Sequence, residues 1–119
     1  MIQGPHRNLR VWNESMEFVT KLYQVTSKFP KEENYGITAQ LRRAAVSIPS
    51  NIAEGYGRSS EAELLHFLYI ALGSSNEIDT QLQIAFNVGL LDESTHDELA
   101  TKNEDINKML RSLIFMRQK

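Results

Sequence analysis

Apolar residues recur in four separate segments of the chain at the three-to-four-residue spacing typical of α-helices. The segments cover about residues 9–28, 37–58 and 60–89, and a fourth begins near residue 95. No segment alternates convincingly between apolar and polar residues with the period of two that a half-buried strand shows. The pattern therefore predicts an all-α protein.

Residues at the segment ends support this division. Ser60 and Glu63 form a capping box in front of the third segment, and Thr95 and Glu98 form a second one in front of the fourth. Pro30 closes the first segment. Because the links between segments are short, consecutive helices are predicted to be antiparallel neighbours. We expect one domain over residues 1–119, an up-down-up-down four-helix bundle.

The first and second helices carry more apolar surface than one stripe. The first has a row that we assign to the core, made of Trp12, Met16, Val19, Tyr23 and Thr26, and a flanking row of Val11, Phe18, Leu22 and Val25. The second helix has its core row at Ile37, Leu41, Ile48 and Ile52. Its opposite side is uncharged as well, and a helix that is apolar or small most of the way round is buried on more than one side.

Four helices cannot bury all of these rows inside one bundle. The contiguous rows predict a homo-oligomer that uses the outer faces of helices 1 to 3. Single apolar residues are often simply exposed, which is the competing explanation. The residues assigned to the oligomer interface are Val46, Pro49, Ala53, Gly57, Ile70 and Ile84.

A polar stripe lies between the two apolar sides of the second helix. It consists of Gln40, Arg43, Ser47, Asn51 and Glu54 within an arc of about 80° on a helix of 3.6 residues per turn, and Glu77 and Gln81 continue it on the third helix. A contact between Arg43 and Glu77 is expected, because a charge near a core needs a partner. Two interpretations stay open: a polar layer that fixes helix register, or the wall of a groove that meets a partner.

Charge and composition narrow the classes of function. The net charge is −2, with +3 on residues 1–60 and −5 on residues 61–119. Dedicated nucleic-acid binders are usually much more basic, so a nucleic-acid contact requires a local patch. Arg10, Arg42, Arg43 and Arg58 are the candidates. Cysteine is absent, and no signal sequence or membrane-spanning run is evident, which predicts a cytoplasmic protein without membrane contact.

The sequence contains few residues in patterns typical of catalytic or metal-binding sites. Two Glu-x-x-His pairs exist, at Glu63–His66 and Glu93–His96, and such pairs hold di-metal sites in some bundles. Here about 40 Å of helix separates them at 1.5 Å per residue. No phosphate-binding loop and no nucleophile signature occur. We predict no enzymatic activity, no cofactor, no metal and no small-molecule substrate.

Two stretches resemble a bacterial family of four-helix bundles. They are YGITAQLRRAAVSIPSNIAEG at residues 35–55 and FLYIALGSSNE at residues 67–77. The family includes proteins encoded in intervening sequences of 23S rRNA genes, and a related branch is the accessory variability protein of diversity-generating retroelements. The resemblance implies a ring, typically a homopentamer, and contact with RNA, DNA or a nucleic-acid enzyme such as a reverse transcriptase.

Two functions therefore compete. The first is a ring that binds a nucleic acid or a ribonucleoprotein through the arginines named above. The second is a scaffold that binds only proteins, in the grooves between its subunits.

Overall fold

The chain folds into four long helices packed side by side. The computed structural model describes residues 4–118, so that Met1–Gln3 and Lys119 of the predicted domain lie outside the described residues. The helices are α1 (Arg10–Thr26), α2 (Ile37–Tyr56), α3 (Glu61–Asn87) and α4 (Glu93–Arg117), and short 3-10 turns occupy Pro5–Asn8 and Lys31–Glu33. Each helix packs against two neighbours, and α2 and α4 are diagonal to each other. The predicted all-α, up-down-up-down four-helix bundle is confirmed.

Local capping signals fix both ends of α3. Ser60 is the N-cap of α3, and its hydroxyl accepts a 3.1 Å hydrogen bond from the backbone N–H of Glu63, as predicted. Gly89 follows the last turn of α3 with a φ of 84°, a conformation that glycine adopts without strain. The N–H of Gly89 bonds to the carbonyl of Phe86, and that of Leu90 bonds to Ala85, so the helix ends in a Schellman motif.

The predicted start of α4 was wrong by about three residues. Asp92, not Thr95, is the N-cap, and its carboxylate accepts a 2.7 Å hydrogen bond from the backbone N–H of Thr95. That bond lowers the pKa of Asp92 below its ordinary value of 3.8. Leu91, which is buried, anchors the chain immediately before the cap. The helix therefore begins as soon as the chain leaves the core.

The core row of α1 was also wrong. The buried positions of α1 are Val11, Ser15, Phe18, Leu22 and Thr26, whereas Met16 and Tyr23 are 41% and 40% exposed. Trp and Tyr carry a polar tip that favours a partly exposed position. Phe18 and Leu22, at the centre of the other row, have no polar side-chain atom and are buried. Apart from Thr26, which is buried, the row assigned to the core is therefore the outer row, and its first half faces the outer side of α2.

Candidate self-assembly interface

An apolar groove runs along the outside of the bundle between α1 and α2. It is lined by Trp12, Met16, Val19, Val46, Pro49, Ser50 and Ala53 and encloses about 350 Å³. The groove exists because α1 turns its Val11 row inward, which leaves the Trp12 row beside the short side chains of α2. Met16 and Val46 are 41% and 39% exposed. The bundle thus leaves a continuous apolar surface uncovered at this position.

The N-terminal 3-10 turn lies against one end of this groove. The imidazole of His6 meets the Trp12 ring edge-on, with ring centroids 5.0 Å apart. The guanidinium of Arg7 lies over the same indole at 5.1 Å, within the range of a cation–π contact. These two contacts hold Trp12 in place at the groove wall.

The residues predicted for an oligomer interface fall on two faces. Val46, Pro49 and Ala53 share the α1/α2 groove. Gly57 is the C-cap of α2 and is exposed at the end of that helix. Ile70 lines the neighbouring groove between α2 and α3, and Ile84 is 46% exposed farther along α3. These residues therefore do not form one cluster, because α2 separates the first group from the two isoleucines.

The predicted polar stripe forms a second groove, between α2 and α3. Its lining is Gln40, Arg43, Ala44, Ser47, Ile70, Ser74, Glu77 and Gln81, and it encloses about 500 Å³. Near the middle of the groove, the hydroxyl of Ser74 donates a 2.8 Å hydrogen bond to the hydroxyl of Ser47. One turn farther along α2, the side-chain amide of Asn51 donates to the carbonyl and to the hydroxyl of Ser47. Glu54 lies beyond it and pairs with Arg58.

The expected contact between Arg43 and Glu77 is not formed. Both side chains line the groove from opposite walls, but they form no ion pair, and residues 4–118 offer neither of them a hydrogen-bond partner. Both residues are exposed, and hydration replaces the partner that we expected. The stripe is thus hydrogen-bonded between helices at Ser47 and open at Arg43, and both interpretations of it stay predictions.

Arg42 connects α2 to α1. Its Nε donates a 2.9 Å hydrogen bond to the hydroxyl of Thr26, and its guanidinium lies 4.3 Å from the centre of the Tyr23 ring. This arginine, which was predicted to contact nucleic acid, therefore has structural partners on both sides.

Arg58 is paired with acidic residues. It bonds to Glu54 and Glu63, with its guanidinium 5.0 Å from the Phe67 ring. Arg43 and Arg58 are separated by about four turns of helix, roughly 22 Å at 1.5 Å per residue. Because α1 is antiparallel to α2, Arg10 lies at the Arg58 end. One copy of the chain therefore does not bring the four arginines together.

A buried polar network between α3 and α4 was not predicted. Ser75 is fully buried and Asn103 is 3% exposed. They exchange two hydrogen bonds of 3.0 Å: the Ser75 hydroxyl donates to Asn103 Oδ1, and Asn103 Nδ2 donates to the Ser75 carbonyl. Asn107 adds bonds to the Ser75 hydroxyl and to Asn76 Oδ1. The network extends to the surface through Arg111, which donates to Asn107.

The remaining electrostatic feature with a shifted pKa is an ion pair at the end of α4. Arg117 bonds to the carboxylate of Glu61 at 2.8 Å, and that hydrogen bond raises the pKa of Arg117. Within residues 4–118, no group of three or more histidine and carboxylate side chains is placed to hold a metal ion. None of the helices in residues 4–118 is both long enough and apolar enough to span a bilayer.

Comparisons with known proteins agree with this architecture. The family model for 23S rRNA-intervening sequence protein matches residues 7–112. A crystal structure of a protein with unknown function from the S23 ribosomal protein family of Bacteroides thetaiotaomicron is similar, with a TM-score of 0.79 and 25% sequence identity. The alignment covers 87% of this chain and 97% of that one. Among curated proteins, none matches the chain.

Proposed function

The chain belongs to the family of 23S rRNA-intervening sequence proteins, and we propose that it is a non-enzymatic protein that assembles with copies of itself into a ring. The observation that carries this proposal is the α1/α2 groove, hereafter the apolar groove, with Trp12, Met16 and Val46 in its walls. Contiguous exposed apolar surface is typical of interaction sites. A second copy is the partner that is always present at the concentration of the chain itself.

The positions of the apolar residues favour a ring over a two-fold dimer. The apolar groove lies on one side of α2, while Ile70 and Ile84 are exposed along α3 on the other. Two unlike faces support head-to-tail contacts, and such contacts close into a ring when the rotation between neighbours allows it. A size of five subunits is the number that the family resemblance implies. A cytoplasmic location stays a prediction from the absence of cysteine.

The mass of the particle in solution tests the assembly directly. We expect light scattering to give a multiple of the 13.6 kDa chain mass, with about 68 kDa for five copies, and a mass that falls on dilution toward that of one chain. The measurement requires a concentration series, because assembly depends on mass action. A particle of 13.6 kDa at every concentration would overturn the proposal.

Contact with RNA is the second part of the proposal, because the family name refers to 23S rRNA. Arg10 and Arg42 lie apart within one copy. A ring would repeat each arginine around its axis and so create a positively charged patch that the single chain does not have. Arg10 has no hydrogen-bond or ion-pair partner among residues 4–118. Phosphate contacts formed in this way would depend on assembly.

A gel-shift assay with a structured RNA across a salt series tests this contact. We expect a complex at low salt that weakens as salt rises, since each phosphate contact releases counterions. Arg10→Gln should weaken the binding and reduce the salt dependence without changing the mass of the particle. If no complex forms at low salt while the chain still assembles, the protein-only scaffold is the better account.

A further inference from the structure

Arg43 and Glu77 face each other across the groove between α2 and α3 without pairing. Both line that groove, and both side chains are exposed. Opposite charges on facing walls commonly pair, and the carboxylates Glu54 of α2 and Glu61 of α3 each pair with an arginine of this chain. An unpaired cation and an unpaired anion thus remain side by side on one surface.

The surface around this pair carries few other charges. The other residues that line this groove are uncharged: Gln40, Ala44, Ser47, Ile70, Ser74 and Gln81. Ile70 and, farther along α3, Ile84 are 38% and 46% exposed. Such a surface loses apolar contact with water when another protein covers it. A covered charge then needs an opposite partner, because an unpaired buried charge is strongly destabilising.

One polar atom of the same groove also lacks a partner. Gln81 Oε1 is buried and accepts no hydrogen bond from the described residues. Buried polar atoms are nearly always satisfied, and this oxygen indicates that a polar surface completes the groove.

We propose that Arg43 of one copy pairs with Glu77 of the neighbouring copy, so that the groove between α2 and α3 is completed by a second copy of this chain. The proposal rests on the assembly proposed above and identifies its charged contact. Because each copy carries one charge of each sign here, Arg43 can face one neighbour and Glu77 the other, as head-to-tail contacts around a ring require. The exposed isoleucines of α3 exclude water from the contact when a second copy covers them, which strengthens the attraction relative to a surface ion pair. Arg43 is then engaged within the ring, and Arg10 remains for contact with RNA.

Reversing the charges tests the contact between copies. Arg43→Glu and Glu77→Arg each place like charges against each other, and we expect the concentration of half-assembly to rise about tenfold to a hundredfold, as for charge pairs in other interfaces. The double variant Arg43→Glu/Glu77→Arg restores opposite charges and should return the midpoint to within a few-fold of the native one. An equimolar mixture of the two single variants should co-assemble more strongly than either variant alone.

Matched controls separate this contact from a general effect of charge. Lys102→Glu changes the net charge as Arg43→Glu does, and Asp79→Arg changes it as Glu77→Arg does, but neither Lys102 nor Asp79 lines the groove. Neither control should shift the midpoint. Circular dichroism of every variant should give the native helix content, since all four side chains are exposed.

The outcomes distinguish this inference from the assembly itself. If the native chain assembles and the single variants assemble equally well, the Arg43–Glu77 contact is wrong and the ring stands. If the double variant is as weak as the single ones, the two residues act separately and the contact is again wrong. If the native chain is monomeric at every concentration, the assembly and the contact fail together.

Discussion

Val46→Glu is expected to convert the assembled protein into single chains of 13.6 kDa. Val46 lies at the centre of the apolar groove, opposite Trp12 and Met16. A carboxylate at this position would have to leave water when a second copy covers the groove, and no arginine or lysine lines the groove to receive it. An uncompensated charge in an interface costs about 3 kcal/mol or more, on the order of a hundredfold in each dissociation constant.

The folded bundle should tolerate this change. Val46 is 39% exposed in the single chain, and glutamate is a better helix former than a β-branched residue. We therefore expect native helix content and a free energy of unfolding within about 0.5 kcal/mol of the native chain when both are measured as monomers. Light scattering over a concentration series gives the mass, and circular dichroism gives the fold.

Thr101→Glu is the matched control for the added charge. Thr101 is exposed on α4, the helix diagonal to α2, and a carboxylate there should leave the assembly unchanged. Val46→Ala supplies a graded comparison, because it removes apolar area without adding charge and should weaken assembly only several-fold. If Val46→Glu assembles as well as the Thr101 variant, the apolar groove is not the interface.

Local signals explain why the number and order of the helices could be predicted. The helical period, the Ser60 cap and Gly89 each act within a few residues, so the sequence alone is sufficient for them. The start of α4 was misplaced because Asp92 and Thr95 both precede a helical run and both can cap it. The choice between them depends on Leu91, whose burial in the core is a tertiary effect.

The orientation of α1 shows where periodicity stops being sufficient. Two adjacent apolar rows, one through Trp12 and one through Phe18, fit the same helical period. Which row turns inward depends on the space that the other three helices leave. In the fold, Trp12, Met16 and Val19 lie at the surface beside Val46 and form the apolar groove with it. The sequence indicated this groove only as a surplus of apolar residues.

The arginines illustrate the same limit for the candidate site. Arg42 and Arg58 are equivalent in the sequence, as cations on one helix. In the fold, Tyr23 and Thr26 engage one of them, and Glu54 and Glu63 neutralise the other. Tyr23, Thr26 and Glu63 lie on other helices, whose positions follow from packing, whereas Glu54 is four residues from Arg58 and can pair with it locally. The sequence predicted the charges and could not predict which of them would remain available.

The buried asparagines of α4 did leave a signal in the sequence. Leu99, Asn103, Ile106 and Leu110 are spaced as one continuous buried stripe, and all four are buried. A polar residue within an apolar stripe indicates either a break in the stripe or a buried hydrogen-bond network. Ser75 on α3 decides between these, because it presents its hydroxyl and its carbonyl to Asn103. A network of this kind aligns α3 with α4, since fully satisfied buried hydrogen bonds favour one arrangement of the two helices.

Asn103→Asp should strongly destabilise the bundle itself. The side-chain amide of Asn103 donates to the Ser75 carbonyl at 3.0 Å, and a carboxylate would place an unprotonated oxygen against that carbonyl. At 3% exposure the new charge has little access to water. We expect a loss of about 3 kcal/mol or more at neutral pH, a large part of the roughly 5–15 kcal/mol that stabilises a domain of this kind.

Acidification should reverse much of this loss, and Asn76→Asp is the control. Burial raises the pKa of a carboxyl at position 103 above its value in the unfolded chain, so the penalty is complete above the folded-state pKa and disappears as the pH falls toward the unfolded-state value. The protonated acid can again donate to the Ser75 carbonyl. Asn76 uses only its Oδ1 as an acceptor, from Asn107 at 2.9 Å, and it is exposed, so the same substitution there should cost little. Urea unfolding of both variants between pH 7 and pH 5 measures the difference; a gap that is small at pH 7, or one that does not narrow at pH 5, would contradict a buried, charge-sensitive link between α3 and α4.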